Sequence, residues 1–128
     1  MLKRLDNIGV AVRNARTSLA FYIETLGFEG TVSDGEGSAK LGDMSLYIFE
    51  SKSSAPANTR TDDYYANPRG IDHLAVEVAD IEAAGREFES RGVTFLGGIA
   101  GDAGQFRYRG FHDPDGNMLY IIQQPATG

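Results

Sequence analysis

His73 and Glu77 are two residues whose types suit acid–base chemistry. Residues 71–79 alternate polar or small with apolar side chains, which predicts a strand carrying His73, Ala75 and Glu77 on one face. Imidazole titrates near neutral pH, so His73 could act as a general acid/base with Glu77 as its orienting carboxylate. Two other interpretations stay open: His73 is a hydrogen-bonded interior histidine, and Glu77 lies at a rim in water.

The strand that carries His73 has a counterpart near the N-terminus. Residues 5–12 read LDNIGVAV, and residues 71–78 read IDHLAVEV. Asn7 therefore stands 66 positions before His73, in the equivalent place. The chain is interpreted as two copies of one unit, with an unequal pair of residues at this position.

Both copies carry the same signals for their secondary structure. Asn14 and Asp80 can cap the N-termini of two amphipathic helices, and Gly27 and Gly92 suit the left-handed position after the C-termini. The further strands are predicted at residues 28–33, 39–41 and 45–50 in the first copy and at 93–96, 106–112 and 118–123 in the second.

The sequence therefore predicts an α+β fold of tandem βαβββ repeats within one domain, residues 1–128. The predicted boundaries are 1–50 for repeat one, 51–69 for a linker and 70–128 for repeat two. The linker is rich in Ser, Ala, Asn, Thr and Asp, and its prolines disfavour a regular ladder. Tyr64 and Tyr65 either pack this linker down or belong to a lid over a ligand.

Composition restricts the classes of partner. The chain has 128 residues, no cysteine and a net charge of −6, which excludes thiolate chemistry and disfavours nucleic-acid binding. Neither a membrane-spanning run nor a secretory signal is recognised, so we expect a cytoplasmic protein. The acidity slightly favours a cationic ligand, although it equally serves solubility.

The repeat, closed by FHDPDGN at residues 111–117, resembles the vicinal oxygen chelate superfamily, which includes glyoxalase I, extradiol dioxygenases and bleomycin-binding proteins. The resemblance also rests on the segment from IGVAV at residues 8–12 to LGF at 26–28, and on IDHLAV at 71–76. It implies that each repeat curves its mixed sheet into half of a cup around a small molecule. Homodimers are common in the family, and the cup can form within one chain or across a dimer.

The resemblance also implies where a divalent metal would be held. The four equivalent positions are occupied here by Asn7, Tyr47, His73 and Tyr120, of which only His73 has the usual ligand type. Neutral tyrosine is a poor ligand. We therefore expect no divalent metal cofactor. A reassigned set of His73, Glu77 and His112 is the alternative, although His112 is more simply a surface residue.

The resemblance and strand alternation together define the residues that line the cup. The candidate ligand-binding residues are Asn7, Tyr47, Phe49, His73, Phe106, Tyr108, Met118 and Tyr120. Tyr47 and Tyr120 could instead meet and plug the cup. Arg107 and Arg109 alternate outward and are predicted to be solvated charges.

Three functions remain. The first is a binding protein that sequesters an aromatic or cationic small organic molecule, with resistance to that molecule as one consequence. The second is a metal-independent isomerase, lyase or cyclase that uses His73 as general acid/base with a tyrosine hydroxyl as donor. The third is a metal enzyme with the reassigned ligands.

Overall fold

The computed structural model describes residues 1–126, whose contacts divide into two compact units. The first unit is Met1–Pro56, and the second begins at Ala57. Each unit contains one predicted repeat. The boundary falls inside the predicted linker, so that residues 57–69 belong with the second repeat.

The first unit is a three-stranded mixed sheet with one helix. Its elements are β1 (Asn7–Val12), α1 (Ala15–Ala20), β2 (Glu36–Leu41) and β3 (Met44–Glu50). The strand order is β1-β3-β2, with β1 parallel and β2 antiparallel to the central β3. The predicted single helix instead changes after Ala20 into a π-helical segment, Phe21–Thr25.

The second unit repeats this arrangement. Its elements are a 3₁₀ turn (Tyr64–Ala66), β4 (His73–Glu77), α2 (Ile81–Ser90), β5 (Arg107–His112) and β6 (Met118–Gln123). The strand order is β4-β6-β5, again with a parallel and an antiparallel neighbour of the central strand.

The strand register shows that the two repeats match residue by residue. Asn7 pairs with Ser45 and His73 with Met118, while Tyr47 and Tyr120 each lie two residues further along their central strands. The predicted α+β class with tandem repeats is confirmed. One strand of each repeat is shorter than predicted: residues 28–33 and 93–96 contribute only isolated bridges. Glycines at or just after these segments weaken regular pairing.

The predicted caps are present. The Asn14 side chain accepts a hydrogen bond from Thr17 N at 3.0 Å, and Asp80 caps α2 in the same way. Gly27 and Gly92 have φ values of 91° and 93°, as expected after the helices. The aligned caps and glycines fix where the chain leaves each helix and returns to its sheet.

One face of each sheet is buried and carries the core, including Leu46 and Ile48 in the first unit and Leu119 and Ile121 in the second. The prediction that Arg107 and Arg109 are solvated charges is wrong. Arg107 pairs with Glu82 of α2 at 3.0 Å, and the Arg109 guanidinium lies 4.1 Å from the ring centroid of Phe95. Their long apolar stems pack on the covered face.

No helix within residues 1–126 has the length and apolar character needed to cross a bilayer.

Candidate functional site

A pocket of about 260 Å³ opens on the face of the second sheet that carries His73 and Tyr120. It is lined by Tyr64, His73, Ala75, Phe106, Tyr108, Tyr120 and Ile122. Strand alternation brings these residues together, because His73 and Ala75 share one face of β4 and pair across to β6. Only Tyr64 comes from outside the sheet and its immediate flank.

The position of Tyr120 depends on a glycine in the neighbouring strand. Gly110 is the cross-strand partner of Tyr120. A Cβ built on Gly110 would overlap the Met118 Cε and lie 3.0 Å from the Tyr120 Cε1. The missing side chain thus lets Met118 and Tyr120 lie against the strand backbone. Met118 is fully buried and lies on the same sheet face as Tyr120, next to the pocket lining.

Aromatic rings form the walls of the pocket. The Tyr120 ring meets His73 edge-on at 4.7 Å between centroids and Tyr108 at 5.6 Å. Phe106 lies 6.0 Å from Tyr108, and Tyr64 lies 6.1 Å from His73. Such spacings are typical of favourable aromatic pairs. Tyr64 and Phe106 are exposed and Tyr108 is partly exposed, so these rings can contact a planar or cationic ligand, whereas Tyr120 is nearly fully buried behind them.

A carboxylate holds the His73 ring. Asp72 Oδ2 lies 2.7 Å from His73 Nδ1, and Asp72 Oδ1 accepts a hydrogen bond from Asn67 Nδ2 at 2.8 Å. The hydrogen bonds from His73 and Asn67 lower the pKa of Asp72. An ionised carboxylate can only accept, so Nδ1 carries the proton and neutral His73 has its lone pair on Nε2.

The structure does not bring Glu77 to His73. The two residues lie at opposite ends of β4, which at about 3.3 Å per residue separates their backbones by about 13 Å. The orienting carboxylate is Asp72 instead. It precedes the strand, so strand alternation gave no sign of its role.

Residues 57–69, here termed the strap, are fastened to the second sheet. Arg60 is 9% exposed, its backbone N–H donates to Gly116 O at 3.2 Å, and its guanidinium donates to Pro68 O and lies 4.0 Å from Asp72 Oδ1. His112 Nε2 lies 2.5 Å from Arg60 O. His112 is therefore half-buried and engaged with the strap, and its prediction as a surface residue is wrong.

The Tyr120 hydroxyl is part of the same attachment. It donates a hydrogen bond to Asp62 O of the strap at 3.5 Å. Burial, together with the negative charges of Asp62 and Asp72, raises the pKa of Tyr120 to about 12. Tyr120 is therefore a neutral hydroxyl at physiological pH. Tyr64 of the strap also has a raised pKa, caused by Tyr108 and Tyr65.

The first unit has a related but different concavity. Tyr47 and Phe49 stack at 5.5 Å and line an open depression of about 500 Å³ together with Asp34, Gly35, Glu36 and Glu50. The Tyr47 hydroxyl donates to Glu36, which raises the pKa of Tyr47. Asn7 is exposed, and its amide donates to Asp6 at 2.9 Å.

The residues at the four family positions do not fit a transition metal. Tyr47 and Tyr120 both have raised pKa values, and so resist the deprotonation that ligation requires. His73 supplies a single imidazole. Within residues 1–126 no group of three or more His, Asp or Glu side chains is arranged to hold a metal ion. The alternative set of His73, Glu77 and His112 is not brought together either, since Glu77 is at the far end of β4.

The predicted ligand-binding residues thus divide into three groups. His73, Phe106, Tyr108 and Tyr120 line the pocket of the second unit, Tyr47 and Phe49 line the depression of the first, and Asn7 and Met118 line neither. Sequence reasoning did not assign Asp72, Asn67 and Arg60. For Asp72 a signal existed, because an aspartate precedes the aligned residue in both copies, as Asp6 precedes Asn7.

The chain resembles known proteins over almost its whole length. The sequence profile of the family described as Glyoxalase/Bleomycin resistance protein/Dioxygenase superfamily matches residues 4–121. The uncharacterized protein YaeR of Escherichia coli (strain K12) is 31% identical over 130 residues, which cover 96% of this chain and 98% of that protein. A lactoylglutathione lyase of Pseudomonas aeruginosa is 36% identical over 62 residues, 48% of this chain and 34% of that enzyme.

Solved structures are also similar to this chain over nearly its whole length. The glyoxalase family protein from Enterococcus faecalis is 26% identical with a TM-score of 0.74, covering 94% of this chain and 97% of that one. TnmS3, an antibiotic binding protein from Streptomyces sp. CB03234, is 22% identical with a TM-score of 0.71 and 98% coverage of both chains, and shows the shared fold. The repeat, its closing turn and these matches place the chain in the Glyoxalase/Bleomycin resistance protein/Dioxygenase superfamily, the vicinal oxygen chelate group.

Proposed function

We propose that the protein binds a small aromatic or cationic organic molecule in the pocket of its second unit. The observation that carries this proposal is the arrangement of Tyr64, Phe106, Tyr108 and Tyr120 around an opening of about 260 Å³. Small-molecule sites are concave and largely apolar, with a few polar groups that orient the ligand. The His73–Asp72 pair supplies those polar groups here.

Charge supports the choice of ligand class. Besides burial, the negative charges of Asp62 and Asp72 raise the pKa of Tyr120 at the pocket wall, and the same charges would favour a cationic ligand over an anionic one there. Aromatic faces attract cations as well as planar rings. TnmS3 has the same fold and is an antibiotic binding protein, so sequestration of such a compound, with resistance as the consequence, is compatible with the fold.

A thermal-shift screen of the purified protein in the presence of a chelator tests the proposal. Aromatic amines and neutral planar natural products should stabilise the protein by an amount that rises with the logarithm of their concentration above Kd, about 2.7 kcal/mol at a hundredfold excess over Kd. Matched aromatic carboxylates should stabilise it less. Stabilisation only after addition of a divalent metal would contradict the proposal.

A second candidate is a metal-independent isomerase, lyase or cyclase. The hydrogen bond between Asp72 and His73 favours it, because it leaves Nε2 as the basic atom of His73. Turnover of a bound compound that is lost in His73→Ala even at ligand concentrations that saturate the variant would establish this function. Unchanged ligand after prolonged incubation would leave binding as the function.

We propose further that the protein needs no divalent metal and works in the cytoplasm as a homodimer. The donor chemistry at the family positions supports the first point. The homodimer follows from the family resemblance, and light scattering on the purified protein tests it directly.

A further inference from the structure

A chain of hydrogen bonds that starts in the strap ends at His73 and determines which nitrogen of its ring carries the proton. Asn67 accepts from Thr61 N at 2.9 Å through its Oδ1, which fixes the orientation of its amide. Its Nδ2 then donates to Asp72 Oδ1, and Asp72 Oδ2 accepts from His73 Nδ1. Each donor faces an acceptor, so the direction of the chain is determined by the strap.

The position of this proton determines what the other ring nitrogen of His73 can bind. With the proton on Nδ1, Nε2 of neutral His73 is a hydrogen-bond acceptor. His73 lines the pocket with 35% of its side chain exposed, and Nε2 has no hydrogen-bond partner among residues 1–126. A ligand that enters the pocket can therefore satisfy Nε2 if it brings a donor.

We infer that the pocket selects aromatic ligands that donate a hydrogen bond, such as a phenolic hydroxyl or a ring N–H, through the acceptor Nε2 of a His73 whose tautomer is set by the strap. The inference rests on the proposed binding function and specifies its ligand class. Asp72 and Asn67 are positioning residues, because they act through His73.

Two further features agree with this class. The volume of about 260 Å³ lies below the roughly 300–1,000 Å³ of sites for drug-sized ligands, which favours a small ring system. The negative charges of Asp62 and Asp72 act on the Tyr120 hydroxyl at the pocket wall, and Arg60 lies 4.0 Å from Asp72 Oδ1. An aromatic carboxylate would place its negative oxygens against the acceptor Nε2 of His73 and near these negative charges, and so should bind weakly.

Phenol, anisole and benzoate are the probes that separate the effect of a hydrogen-bond donor on binding from the effect of a negative charge. Phenol keeps the donor, anisole replaces it by a methyl ether, and benzoate carries a negative charge. We expect phenol to bind about fivefold to tenfold more tightly than anisole in NMR titrations, the value of one satisfied hydrogen bond. Benzoate should bind more weakly than either.

Asp72→Asn provides the decisive variant. Asn67 still presents its Nδ2, so the new amide turns its oxygen to Asn67 and its own N–H₂ to His73. The ring proton then moves to Nε2, and the preference for phenol over anisole should fall to about one. Asp6→Asn makes the same change in the first repeat, where Asn7 replaces histidine, and should leave the preference intact.

The His73 tautomer is measured independently of any ligand, by nitrogen-15 NMR of the imidazole ring. A proton on Nδ1 in the unmodified protein and on Nε2 in Asp72→Asn supports the inference. A proton on Nε2 of the unmodified protein overturns it, whether or not the variant folds. Equal binding of phenol and anisole overturns the ligand class and leaves the binding function standing. No binding by any of the three probes overturns the inference and counts against the proposed function too.

Discussion

His73 Nδ1 lies 2.7 Å from Asp72 Oδ2, so an acid residue directly before β4 holds the ring that lines the pocket. The first repeat retains the same relationship in altered form: Asn7 donates to Asp6 at 2.9 Å. The carboxylate is thus present in both copies, and the side chain that it holds differs. The second copy keeps an imidazole and builds a pocket around it.

The strap should contribute to ligand binding through Tyr64. Tyr64 lines the pocket, whereas its neighbour Tyr65 is 91% exposed and does not line it. Tyr64→Ala should weaken the binding of an aromatic ligand by about 1 kcal/mol, the scale of one aromatic contact, as measured by calorimetric titration. Tyr65→Ala is the matched control and should retain the original Kd. Equal losses of affinity in both variants would contradict a direct contact between Tyr64 and the ligand, and would show that the strap affects binding only through its conformation.

Gly110 should be required for the packing beneath the pocket. Gly110→Ala places a methyl group against Met118 and Tyr120, and we expect a loss of about 1–3 kcal/mol in the free energy of unfolding in urea. Gly98→Ala is the control, because nothing lies within 4 Å of a Cβ at Gly98. A Gly110→Ala protein as stable as the unmodified one would show that Met118 and Tyr120 move aside without cost.

Tyr120 should make the protein sensitive to alkaline pH. Its pKa is about 12 when folded and near 10.0 when unfolded, so above pH 10 the unfolded chain loses this proton first. Stability is fully present below pH 10 and should fall by about 1.4 kcal/mol per pH unit between pH 10 and pH 12. Tyr120→Phe should remove this part of the decline in urea unfolding, and the exposed Tyr65→Phe should not. Parallel declines of the free energy of unfolding in all three proteins would contradict the assignment of the alkaline sensitivity to Tyr120.

Sequence reasoning predicted what depends on local rules. The offset between Asn7 and His73 gave the repeat, and alternation gave the shared face of His73 and Ala75, because both follow from strand geometry. Asn14 and Asp80 were recognised because capping chemistry is local. These features suffice for the fold and for part of the pocket lining.

Long-range packing accounts for what was missed. Arg60 is buried because its guanidinium donates to Pro68 O within the strap and its backbone N–H donates to Gly116 O, which is distant in sequence. Arg107 and Arg109 were placed outward correctly by alternation, but α2 covers that face with Glu82 and Glu89. The π-helical segment after Ala20 has no local signal of the kind that caps provide.

The purified protein should contain no stoichiometric transition metal. The raised pKa values of Tyr47 and Tyr120 disfavour the phenolate that either residue would need as a ligand. Elemental analysis of protein purified without added metal should give far less than one Zn, Fe, Mn, Ni or Co per chain. One ion per chain that His73→Ala removes would contradict the conclusion that the residues at the family positions do not fit a transition metal.

A metal-independent pocket for an aromatic ligand in the second unit is tested most directly by chemical-shift mapping with phenol in the presence of a chelator. We expect concentration-dependent shifts that centre on Tyr64, His73, Tyr108 and Tyr120 and that saturate. Shifts confined to other surfaces, or shifts at these residues only when a divalent metal replaces the chelator, would contradict it.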